Sequence, residues 1–173
     1  PLVHAARPGN VMTGGFVARG DPDGALAGAA AVVEDTFETS FVEHAPIEPE
    51  AGHAVRIGDT VEIAATTQAP VMNRDSIAAI LALPKESVRI LPSAVGGGFG
   101  SKLDLSIQPL LALAAWRLGR PVRGAFTRPE SMMATTKRHP ARMRVRVGAD
   151  ADGTVVALDY AGDFNTGAYA SWG

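Results

Sequence analysis

Val95-Gly96-Gly97-Gly98-Phe99-Gly100-Ser101-Lys102 is the stretch on which the rest of the sequence hangs. It follows a short β-rich run, Val88 to Leu91, and precedes an apolar helical segment, Leu105 to Leu118. Glycine at every place but one from 96 to 100 opens dihedrals closed to other residues and lets the backbone approach a neighbour closely. The N–H groups of such a loop, with a helix N-terminus behind them, form an anion cradle. A tight structural turn accounts for the glycines equally well. The known phosphate loops do not fit. A Walker A places Gly directly before Lys and Ser or Thr after it, whereas here Ser101 precedes Lys102 and Leu103 follows. The dinucleotide fingerprint fails because Ser101 stands where its third glycine belongs. Phe99, flanked by glycines, either plugs a core or offers its face to a planar ligand.

Outward from this loop, the elements alternate irregularly. Residues 1–27 read as a loop-rich lead-in (Pro8-Gly9-Asn10, Gly14-Gly15, Asp21-Pro22-Asp23-Gly24), with Asp23 capping a short helix through Ala31. Val32 to Val42 favours a strand with Phe37 and Phe41 as core anchors. Ala45 to Glu50 is extended by its prolines. His53 to Ile57 and Thr60 to Thr66, separated by Gly58-Asp59, predict a β-hairpin. Asn73 or Asp75 caps a helix through Leu83, striped by Ile77, Ile80, Leu81 and Leu83 and stopped by Pro84. The helix Leu105 to Leu118 is apolar nearly all round, which predicts burial, and Gly119 closes it. Pro121 to Phe126 is a strand, and Arg128-Pro129-Glu130 opens a short helix. Met143, Val145 and Val147 alternate with Arg142, Arg144 and Arg146, a half-buried strand. Asp152-Gly153 turns it into Thr154 to Tyr160, and the residues from Asp163 to Gly173 read as loop. Recurring hairpins and clustered strands indicate an α+β fold of mixed β-sheet layers with packed helices, not a doubly wound parallel sheet.

The 173 residues hold 46% hydrophobic and 20% charged residues, the profile of a folded domain rather than a disordered chain. A net charge of −2 speaks against nucleic-acid binding over the whole surface. Cysteine is absent, so disulfides, thiolate zinc, iron–sulfur ligation and a cysteine nucleophile are excluded within the chain. No apolar run approaches the ~20 residues that span a bilayer, and no export signal is visible, which points to the cytoplasm. A first residue of Pro1 suggests a piece excised from a longer polypeptide.

Few other residues are candidates for chemistry. Gln68, in Thr66-Thr67-Gln68-Ala69-Pro70, closes a strand, where its amide either is solvated or donates to an anionic or oxo ligand. Glu43, His44, Glu48 and Glu50 cluster in sequence, but extended residues alternate faces, so a solvated strand and loop is the simpler reading than a metal site. The arginines at 142, 144 and 146 read as the charged guard of an edge strand, with an anionic partner as the alternative. No nucleophile elbow accompanies the serines.

Taken together, these residues resemble the molybdenum hydroxylases, the xanthine dehydrogenase/aldehyde oxidase family. Val95 to Lys102 is similar to that family's glycine-phenylalanine loop. Phe41-Val42-Glu43-His44-Ala45-Pro46-Ile47-Glu48-Pro49 resembles the segment before its first cofactor-facing strands, and Thr66 to Pro70 its cofactor-contacting T-Q loop. Gly119-Arg120-Pro121-Val122-Arg123 and Arg138-His139-Pro140 follow the same pattern. The resemblance implies that residues 28–173 are part of a larger molybdenum-cofactor-binding domain. The cofactor would be a molybdenum-pyranopterin, molybdopterin or its cytosine dinucleotide form. Gln68, Gly97, Gly98, Phe99 and Gly100 would line it, with Phe99 orienting the substrate. The reaction implied is hydroxylation of aldehydes or N-heterocycles with oxygen from water. Electrons would leave to iron–sulfur clusters and FAD on other subunits or segments. Two departures matter. Leu103 stands where purine-oxidising relatives carry an acid, which argues against xanthine itself. The family's glutamate base belongs near the far end of the large subunit, so this chain is expected to carry no catalytic base and to be inactive alone. A catalytically retired binding or assembly module on the same scaffold is the alternative.

Overall fold

A computed structural model describes residues 1–168. In chain order the elements are α1 (Pro22–Gly28), β1 (Ala31–Glu38), β2 (Ala51–Ile57), β3 (Thr60–Ala65), α2 (Pro70–Leu81), β4 (Val88–Pro92), α3 (Gln108–Leu118), β5 (Val122–Ala125), α4 (Arg128–Ala134), β6 (Ala141–Ala149) and β7 (Val155–Phe164). They form the expected α+β fold. The chain divides into two units, one from Glu43 to Arg138 and one that joins Pro1–Val42 to the segment from His139 onward.

The Glu43–Arg138 unit is built on a four-stranded mixed sheet of order β4-β3-β2-β5. β2 and β3 form the predicted hairpin, with Gly58 supplying the positive φ of its turn. α2 then carries the chain to β4, which pairs parallel to β3 with Val61 opposite Val88. Ala54, Val61, Ile63, Ala65 and Val88 from the sheet meet Ile77 and Ala78 of α2 and Leu111, Ala112 and Ala115 of α3 in one buried core. Small residues set the approach: a Cβ on Gly52 or Gly124 would stand 3.2 Å from a methyl of Leu111. Because β3 and β4 are parallel, the segments leaving their C-terminal ends, 66–69 and 93–102, emerge at the same edge of the sheet.

The other unit is a three-stranded antiparallel sheet of order β1-β6-β7. α1 lies over one face, where Leu26 is buried and a Cβ on Gly148 would meet its Cδ2 at 3.2 Å. The same face carries an ion-pair ladder, with Arg144 on Glu34 at 2.6 Å and Arg146 on Asp159 at 3.3 Å.

Several expectations are corrected. β6 is the central strand, so Arg142, Arg144 and Arg146 guard no edge; they pair with acids on β1 and β7. Phe37 and Phe41 are 51% and 58% exposed and anchor no core. Phe37 faces away from the side that α1 covers, and Phe41 lies beyond the end of its strand. The cap of α1 is Asp21, which accepts from Gly24 N, and the helix ends at Gly28. α2 starts at Pro70, whose missing N–H costs nothing in a first turn, and ends at Leu81, where Ala82 is left-handed. α3 starts at Gln108 and is not apolar-buried all round, since Leu110 and Leu113 are exposed. Gly119 closes it in the left-handed conformation, as expected. The loop expected from Asp163 begins two residues later, after β7, and residues 169–173 of it lie outside the described residues.

Candidate functional site

The site begins with buried threonines. Thr66 and Thr67 leave β3 with their side chains in the interior. The Thr67 hydroxyl donates to Asn73 Oδ1 at 2.6 Å and accepts from Ala69 N at 3.0 Å, and Asn73 Nδ2 donates to the Leu103 carbonyl at 3.0 Å. Gln108 is buried; its Nε2 donates to the Thr66 carbonyl at 3.2 Å and its Oε1 accepts from Ser106 N at 2.8 Å. These bonds hold the backbone on both sides of Gln68, which alone in the run 65–69 is exposed.

Gln68 is bound to the glycine loop through one end of its amide. Oε1 accepts from Gly100 N at 3.0 Å and from Lys102 N at 3.3 Å. Both neighbours are donors, so the oxygen must face them and the Nε2 group must face away. That Nε2 has no partner among the described residues. The backbone of Gln68 adds a bond to the Lys102 carbonyl at 2.9 Å.

The loop itself is held in a rare conformation. Gly97, Phe99 and Gly100 have φ of 108°, 55° and 97°. For Phe99 the left-handed region costs about 1–2 kcal/mol, which the surrounding bonds must offset. Ser101 supplies two of them, its N and Oγ both donating to the Gly98 carbonyl at 2.9 and 2.8 Å. The N–H groups of Gly97, Gly98 and Phe99 make no hydrogen bond among the described residues. Phe99 is 65% exposed, which settles its open reading: it does not plug a core. The helix expected directly behind the loop is not there, because α3 begins at Gln108, so the donors are the loop's own amides and not a helix end.

Glu48, expected in a solvated strand and loop, is instead a carboxylate that accepts from three separate residues. Oε1 accepts from the Thr66 hydroxyl at 2.6 Å. Oε2 accepts from Gly96 N and from Lys102 Nζ, both at 2.8 Å. Lys102 is 2% exposed and also donates to the Glu48 carbonyl at 3.0 Å. Burial pushes the Glu48 carboxyl up, but the bonds from Lys102, Thr66 and Gly96 outweigh it and hold the group below the ordinary range. The sequence signal is faint: a lysine closing a glycine loop reads as solvated, and nothing local shows that its partner lies at 48.

The remaining acids of the 43–50 run diverge. Glu43 pairs with Lys137 at 2.6 Å and accepts from Thr135 at 3.1 Å. Glu50 is buried at the start of the sheet, and His53 stands on β2. His44 turns Nε2 towards the loop, 3.9 Å from where a Gly100 Cβ would be. Burial, then Arg138, lowers its pKa. Among the described residues no three His, Asp or Glu are grouped to hold a metal ion.

A fixed amide and a run of unpaired N–H groups at one sheet edge leave hydrogen-bond donors free to meet an electron-rich ligand. The comparisons agree in kind: residues 3–173 match the family described as the molybdopterin cofactor-binding domain, and the chain belongs to it. It is 41% identical over 155 residues to the nicotinate dehydrogenase large molybdopterin subunit of Eubacterium barkeri, covering 89% of this chain and 36% of that one. It is 37% identical over 142 residues to an aldehyde oxidoreductase molybdenum-binding subunit of Escherichia coli, covering 82% of this chain and 19% of the relative. Among solved structures, the aldehyde oxidoreductase from Desulfovibrio gigas superposes with a TM-score of 0.71 at 29% identity, over 84% of this chain and 16% of that one. The chain therefore spans only a minor part of the relatives it matches.

The residues present fit such a cofactor. A Cβ on Gly98 would fall 2.6 Å from Gln68 Cδ, and one on Gly96 2.6 Å from Glu48 Cβ, so a side chain at either place would fill the wall. The free donors are all N–H groups, the chemistry that suits an oxygen- and sulfur-rich anionic ligand.

Proposed function

We propose that this chain forms one wall of the molybdopterin site in a longer oxidoreductase of the xanthine dehydrogenase/aldehyde oxidase type, acting on aldehydes or N-heterocycles. The observation that carries this reading is Gln68, pinned by its oxygen to a loop in which the amides of Gly97, Gly98 and Phe99 are free among the described residues, and left with a free Nε2 of its own. When bound, the molybdenum-pyranopterin would supply the hydroxylation chemistry and take oxygen from water. Within the chain, Gln68 and the loop amides bind and orient the cofactor, in positions fixed before any ligand arrives. Phe99 offers an exposed ring to the substrate. The catalytic base belongs to the polypeptide outside this chain, and the electrons leave through iron–sulfur clusters and FAD on other subunits or segments. Residues 28–173 are on this reading part of the cofactor domain, led into by residues 1–27, and the enzyme works in the cytoplasm.

The test is metal and pterin content of the full-length polypeptide from a host that makes the cofactor. Near-stoichiometric molybdenum with a fluorescent pterin is expected. Absence of both favours a retired scaffold. In a loaded enzyme, Phe99→Ala should impair substrate turnover while molybdenum content holds; a module without catalysis would be indifferent to that change.

A further inference from the structure

Glu48 fastens the glycine loop at both ends. Oε2 takes the N–H of Gly96, where the loop begins, and the ammonium of Lys102, where it closes. Oε1 takes the hydroxyl of Thr66, two residues before Gln68. The main chain repeats the link, with Glu48 N donating to the Gly96 carbonyl at 3.2 Å and Lys102 Nζ to the Glu48 carbonyl. The segment carrying Glu48 is itself tied down, because Arg128 donates to the carbonyls of Pro46 and Ile47 at 2.5 and 2.8 Å. Between the fastened ends lie the residues with the least intrinsic order in the unit, Gly97, Gly98 and Gly100.

We propose that Glu48 is a positioning residue: by closing the loop on Lys102 and holding Thr66, it sets the relative placement of Gln68 and the loop amides. A loop of this composition has no preference for the observed dihedrals, so its shape must come from bonds at its ends. One carboxylate reaches both ends and the strand exit that carries Gln68. Lys102 is the counter-charge of the partly buried carboxylate, and its own N–H feeds Gln68 Oε1, so the loop closure and the amide orientation share a residue. Glu48 touches neither cofactor nor substrate in this assignment. It acts through Gly96, Lys102 and Thr66.

The proposal rests on the molybdopterin reading only for what the loop faces, and the experiment separates the two. Hydrogen exchange of the full-length protein is followed in peptides covering the loop and α3, in wild type, in Glu48→Gln and in Glu48→Gln/Lys102→Met. The double variant removes both charges of the pair, so it tests the fastening without stranding one of them. Loop amides that exchange about tenfold faster in both variants, with α3 unchanged, are expected. In cofactor-loaded protein the same variants should retain molybdenum, shift the visible circular dichroism of the centre, and lower kcat more than they change KM. Unchanged loop exchange overturns the proposal. Equal acceleration in α3 overturns it too, since Glu48 would then be a general stability residue, as would loosened loops with an unaltered spectrum. A wild-type protein without molybdenum or pterin would instead sink the functional reading, and the exchange result would still decide the fastening.

Discussion

Gly98 and Gln68 are packed so closely that no side chain fits between them: an added Cβ at 98 would lie 2.6 Å from Gln68 Cδ. The contact is with the amide head itself, whose oxygen is already committed to Gly100 and Lys102, so Gln68 cannot swing away without surrendering both bonds. Gly98→Ala should therefore displace the amide and cost about 1–3 kcal/mol of overpacking. The expected outcome in the full-length protein is a lowered unfolding midpoint together with reduced molybdenum content. Gly14→Ala, at a glycine with open space around it, should change neither. Equal tolerance at both places would show that the loop relaxes freely.

The two ends of the Gln68 amide do different work, and substitutions separate them. Gln68→Ala removes the acceptor and leaves the N–H groups of Gly100 and Lys102 without it, a loss of about 1–3 kcal/mol at most for the part-buried Lys102 N–H and less for Gly100, whose bond is open to water. Gln68→Glu keeps an acceptor for both and removes the projecting donor. Its carboxylate also places negative charge where an anionic ligand is proposed to sit. Thermal unfolding of Gln68→Glu should stay near wild type while molybdenum retention falls, whereas Gln68→Ala should lose both. A Gln68→Glu protein that holds molybdenum normally would remove the donor role.

The elements of this fold were legible where the pattern was local. The hairpin at Gly58-Asp59, the alternation from Arg142 to Val147 and the Gly119 closure need only neighbours in sequence. Order within a sheet does not reside in any one strand, which is why β6 reads as an edge and proves central. Burial of Phe37 failed for the same reason, since a strand's alternation does not say which face receives a helix. At the site, the glycines and Gln68 stand out as residues that chemistry requires. Glu48 and Lys102 do not, because their meaning lies in a bond across 54 residues.

Acid should loosen this unit through identifiable groups. Burial, then Arg138, lowers the His44 pKa, so the unfolded chain gains its proton first, and stability falls as pH drops below about 6.5. Glu48 and Glu43 behave as depressed carboxylates: burial raises each, but Lys102 and Lys137 respectively lead the bonds that overcome it. Their contribution is intact above about pH 4.5 and is lost as pH falls through the lower folded values. Unfolding midpoints measured from neutral to about pH 3 should thus decline in two stages. His44→Gln should flatten the first, and Glu48→Gln the second. A single decline unaffected by either substitution would place the acid sensitivity elsewhere.

Lys102 and Arg144 each pair with a glutamate at under 3 Å, yet removing them should have unequal consequences. Arg144 and Glu34 are about half exposed, so water and salt screen the pair and compete for both partners. Arg144→Ala should leave the unfolding midpoint almost unchanged, and added salt should erase what difference there is. Lys102 is 2% exposed and Glu48 is mostly covered, so Lys102→Met strands a carboxylate whose remaining partners are the Thr66 hydroxyl and Gly96 N. Breaking a buried pair from one side costs about 3–5 kcal/mol, and the partial exposure of Glu48 places this case at the low end. That loss should persist in high salt, because the pair lies inside the screening layer. Restoring neutrality in Glu48→Gln/Lys102→Met should recover much of the stability without recovering the loop. Comparable midpoints for Arg144→Ala and Lys102→Met would mean that burial does not set the strength of these pairs.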